Sequence, residues 1–121
     1  MAAVQSFMQA VADSNLTKMA SLWGTTNGPA ARTGQPSDYE RRIAIIQAYL
    51  RSDSFRVTSD IPEGPNRRAL TVELRRKTCT WNVPFVAVSM ADQSWLVNSV
   101  DLAAAGNPAR PCVEGDSLSK R

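Results

Sequence analysis

Val4, Phe7, Met8, Val11 and Ala12 recur at the spacing of one helical face, which predicts a first amphipathic helix over 3–13. Asp13-Ser14-Asn15 interrupts it with residues that bond their own backbone and favour caps. Leu16, Met19, Ala20 and Trp23 resume the stripe over 15–23, and Gly24 supplies a stop signal. Residues 24–37 show no periodicity and are expected to form a long loop rich in Gly and Pro. Ser37 and Glu40 then fit a capping box, and Tyr39, Ile43, Ile46 and Leu50 predict a third helix ending near Arg51. Its other flank, Arg41, Arg42 and Gln47, is expected to face water.

From Phe55 the period becomes two, which predicts strands near 55–60, 68–77, 82–91 and 94–102. Leu70, Val72 and Leu74 alternate with Thr71, Glu73 and Arg75, giving one core face and one wet face. Residues 83–90 are apolar on both faces. Three helices followed by a four-stranded antiparallel meander is an α+β layout with the helices on one sheet face. Residues 1–102 form this single domain, and 103–121 read as an extended tail.

With 121 residues and 43 % hydrophobic content, the chain is long enough to close a core. No apolar run is long enough for a transmembrane helix. Histidine is absent, which removes Ser-His-Asp and Cys-His nucleophile systems and His-containing zinc sites. The net charge of +3 is densest at Arg67-Arg68 and Arg75-Arg76-Lys77, but Asp60, Glu63 and Glu73 dilute it. Arg75 and Arg76 also point to opposite strand faces, so nucleic acid is not an expected partner. Asn15-Leu16-Thr17 matches a glycosylation sequon, although a capping Asn at a helix start explains it.

Cys79 and Cys112 are either two unrelated thiols or one disulfide in an exported protein. The antiparallel pairing of the last two strands places Leu102 beside Val83, and the segment to Cys112 is long enough to fold back. That topology favours the bridge, worth roughly 3–4 kcal/mol in the chain-entropy model. An oxidising, periplasmic or cell-envelope location is therefore expected. Met1-Ala2-Ala3 leads straight into the first helix, so an export signal is expected to lie outside this sequence.

Several features together resemble the NTF2-like, cystatin-type α+β cone superfamily, over about residues 3–102. They are the broken first helical unit (Phe7 and Val11 before Asn15-Leu16), Leu22-Trp23 closing it, and the last strand Trp95-Leu96-Val97-Asn98-Ser99-Val100-Asp101-Leu102. The Gly-Pro-Ala-Ala-Arg loop and the two cysteines are similar to exported bacterial members of this superfamily. The resemblance implies a sheet curved around helices and a cone-shaped cavity. Ketosteroid isomerases of this superfamily carry catalytic Tyr and Asp residues where this chain has Phe7, Ala31 and Val86, none with the needed oxygen. Limonene-type epoxide hydrolases use an Arg-x-Asp unit on a strand, whereas Arg51-Ser52-Asp53 falls at a helix end.

Asp101 is the best acidic candidate for a general base, but a β-bulge at Asn98-Ser99 would turn it outward. Such a bulge is what lets Trp95, Val97, Val100 and Leu102 all face the core. The expected pocket is walled by Phe7, Val11, Trp23, Tyr49, Val72 and Phe85, with Arg32 and Asn98 as its polar groups. Apolar walls with sparse oriented donors suit a small amphipathic or anionic molecule. The expectation is thus ligand binding without efficient turnover and without a cofactor. A small hydrolase, isomerase or lyase is the alternative, and a pure protein-interaction domain with a filled cavity is the third reading. Val86, Val88, Met90 and Leu96 on the face away from the helices also predict a homodimer through the sheet.

Overall fold

A computed structural model describes residues 1–106. Helix α1 (Ala2–Ala12) buries Val4, Phe7, Met8, Ala10 and Val11, the face that the apolar spacing marks. Ser14 takes a left-handed turn (φ 54°), and the Asn15 side chain accepts from the Lys18 N–H at 3.1 Å to cap α2 (Leu16–Leu22).

Residues 24–37 are not a structureless loop. Trp23 is already extended and bridges in parallel to Val97, so the chain leaves α2 along a sheet edge and not through a glycine stop. Strands β1 (Gly24–Thr25) and β2 (Gly28–Pro29) pair as a miniature hairpin, followed by helix α3 (Ala30–Thr33). Gly24 is required here, because a Cβ would sit 2.3 Å from the Gly28 carbonyl oxygen. Helix α4 (Tyr39–Leu50) buries Ile43, Ile46 and Leu50, but the expected capping box does not form. Asp38 is the N-cap residue, and its side chain binds Arg42 instead of the helix N–H groups.

Strands β3 (Ser54–Pro62), β4 (Arg67–Arg76), β5 (Cys79–Ser89) and β6 (Trp95–Val100) form an antiparallel sheet in sequence order. Lys77 adopts a left-handed φ of 54°, which tightens the β4–β5 connection and starts β5 at Cys79, earlier than expected. Leu70, Val72 and Leu74 stand beside Phe85, Val83 and Trp81 on the face that meets the helices. Phe7 from α1 meets Phe85 edge-on, with centroids 6.3 Å apart at 79°. The molecule is thus α+β, with α1, α2 and α4 as its main helices packed on a four-stranded sheet.

Register slips by one between β5 and β6: Val86 pairs with Ser99, but Ala87 pairs with Val97. Asn98 is the extra residue of this bulge, so Trp95, Val97 and Val100 share one face. The strand stops at Val100, and Leu102–Ala105 form a 3-10 turn where strand continuation and an extended tail were expected. The opposite sheet face is less bare than its parity implies: Val88 and Leu96 are only 8 % and 3 % exposed, and Val86 and Met90 are half-buried.

Arg76 ties the C-terminal ends of these layers together. It shares the core-side parity of Leu74, and its guanidinium donates to the carbonyls of Arg51 (2.6 Å), Ala105 (2.6 Å) and Tyr49. The Trp81 ring lies 4.9 Å from its charge centre, and Gly106 packs against the same indole. A cation here satisfies carbonyls that the end of α4 cannot satisfy itself. Burial pushes the Arg76 pKa down, with Asp53 opposing the shift.

Candidate functional site

The first two turns of α4 and the β6 strand with its 3-10 continuation leave a groove of about 390 Å3 between them. Helix α4 contributes Arg42, Ile45 and Ile46, and the strand side contributes Asn98, Ser99, Val100 and Leu102. Trp23, held on the edge of β6, forms the remaining wall. Ile45 is 41 % exposed, an apolar side chain on the helix flank opposite the buried stripe.

The bulge does local work in this groove. It moves Asn98 out of the ladder, and its Nδ2 donates to the Gly24 carbonyl at 2.9 Å, fastening the β1–β2 hairpin to β6. Arg42 is held through Nε by Asp38 at 2.8 Å. The hydrogen bond from Arg42 in turn pulls the Asp38 carboxyl below the ordinary aspartate range.

Of the residues expected to wall a pocket, Trp23 and Asn98 line this groove. Phe7, Val11, Val72 and Phe85 do not: at 0–2 % exposure they touch no water-sized space and are packed as core. Tyr49 is half-buried, and its carbonyl is held by Arg76. Arg32 is exposed and lies against Gly28, donating to the Asn27 carbonyl at 3.2 Å. Asp101 is exposed at the end of β6, where its N–H donates to the Pro84 carbonyl. Cys79 is buried at the start of β5, while Cys112 lies outside the described residues.

Sequence reasoning missed Arg42, Ile45, Ile46, Ser99, Val100 and Leu102 as groove residues. Ile45 carried the available signal, since it falls off the Tyr39-Ile43-Ile46-Leu50 stripe and interrupts an otherwise wet flank.

Among the described residues the groove lining contains no carboxylate. Asp92, the other carboxylate with a shifted titration, is lowered chiefly by hydrogen bonds from Ser94. Both shifts run opposite to the upward shift that prepares a general base. Among the described residues no three metal-ligating side chains cluster, and no helix is long and apolar enough to cross a membrane. Three basic residues of the sheet are engaged locally, Arg68 with Asp60 (2.6 Å), Arg67 with Glu63 (3.0 Å) and Arg56 with Glu73 (3.4 Å). Compared with known proteins, the chain matches no family model, no curated protein and no solved structure.

Proposed function

We propose that this chain is an NTF2-like binding or accessory module of the cell envelope, taking a small amphipathic molecule in the α4–β6 groove without efficient turnover. The observation that carries this reading is the groove itself. Its volume of about 390 Å3 falls in the range of small-molecule sites, and its lining is apolar with few polar groups. The filled interior supports placing the ligand outside the cone region that the superfamily resemblance suggests. The NTF2-like assignment rests on the interrupted first helical unit and the helices packed on a bulged four-stranded sheet. The envelope location rests on pairing Cys79 with Cys112: intact-mass analysis should find no alkylated thiols before reduction, and two freely alkylated thiols would remove that support.

Titrating the full chain with octanol, followed by amide NMR, is expected to give saturable shifts at Ile45, Val100 and Leu102. Ile45→Asp, a change on an exposed helix flank, should abolish them while leaving the fold intact. No saturable shift at these positions would overturn the reading. Turnover of an ester, epoxide or activated ketone that Asp101→Asn abolishes would replace it with an enzyme.

A further inference from the structure

The groove is polarised along its length. Arg76 binds the carbonyls of Tyr49 and Arg51 at the end of α4 and that of Ala105 at the end of the 3-10 turn. The two walls therefore run side by side in the same direction. Arg42 and Asn98 stand at the entering end of these walls, and Ile46 and Leu102 stand further on. Arg42, Asn98 and the Trp23 ring thus stand at one end, and the aliphatic Ile46 and Leu102 at the other.

Among the described residues Arg42 is the only charged one in this lining, and it is only partly occupied. Asp38 takes the Nε hydrogen, and among the described residues neither terminal nitrogen has an acceptor. Fixing a guanidinium through Nε leaves a two-donor edge whose geometry matches a carboxylate. Arg42 to Ile46 spans about 6 Å of helix axis, and the strand wall continues to Leu102, a length that suits a medium alkyl chain and not a long lipid tail.

We propose that the ligand of this groove is a medium-chain monocarboxylate, its carboxylate on the terminal nitrogens of Arg42 and its alkyl chain over Ile45 toward Leu102. This deepens the binding reading above and rests on it. Octanoate and octanol share an alkyl chain and differ in the head group, so the pair separates the two statements. Octanoate is expected to bind three- to fivefold more tightly than octanol at low salt, the scale of an exposed ion pair. The preference should shrink in 1 M NaCl, about where the Debye length falls to 3 Å. Arg42→Gln should erase the preference of octanoate over octanol, and Arg42→Lys should keep part of it, with an unaltered amide spectrum elsewhere. Equal binding of the two probes by the unsubstituted chain would overturn the carboxylate assignment alone. Failure of both probes to bind would overturn the groove reading beneath it.

Discussion

Replacing Arg76 with alanine is expected to lower the stability of the fold by about 2–4 kcal/mol. The side chain is half-buried and donates to three backbone carbonyls that belong to two separate segments. Removing it leaves these acceptors at a crowded helix end, and an unsatisfied buried acceptor costs about 1–3 kcal/mol. The stacking on Trp81 is lost as well, worth about 0.5–2 kcal/mol. Arg76→Lys should recover only part of the loss, because one ammonium on a flexible stem cannot span three divergent acceptors. Urea denaturation at neutral pH measures this directly. A change below about 0.5 kcal/mol, the usual size of a surface substitution, would mean that water replaces the guanidinium without cost.

Phe7→Ala is expected to be at least as damaging, at about 3–5 kcal/mol. Phe7 has no accessible surface and meets Phe85 edge-on at a centroid distance of 6.3 Å. Truncation would lose the transfer free energy of the ring and leave a cavity between α1 and β5 that the rigid sheet cannot close. Were Phe7 the wall of an open cone, part of its ring would already face solvent and truncation would cost far less. A loss below about 1 kcal/mol would contradict the filled interior.

Much of the fold is visible in the periodicity. The α1 stripe, the break capped by Asn15, the Ile43-Ile46-Leu50 face and the four strands all follow from apolar spacing. The bulge at Asn98 follows from the clash of parity between Val97 and Val100, which a regular strand cannot seat on one face. The β1–β2 hairpin and α3 were hidden for a physical reason: two-residue strands and one helical turn are shorter than any period that could announce them. Ser37 and Glu40 fit a capping pattern, but Asp38 had a better partner one turn along in Arg42. Arg76 shares its strand face with Leu74, which placed it toward the core. That three carbonyls wait for it there depends on where two distant segments end.

The candidate site was less visible than the fold. Alternation identifies which residues turn inward, but not whether the inward space is filled or hollow. Phe7, Val11, Val72 and Phe85 are therefore core residues by burial, although the same pattern would suit pocket walls. The groove is built from the seam between α4 and β6, and only Ile45 on the wet flank hinted at it.

The central claim is that ligand binds in the seam and not within the layers. Nuclear Overhauser contacts between bound octanoate and the methyl groups of the full chain test it most directly. The account predicts contacts from the octanoate methylenes to Ile45, Val100 and Leu102. Contacts to Val11 and Val72, with none to Ile45, would place the ligand in the interior and contradict it.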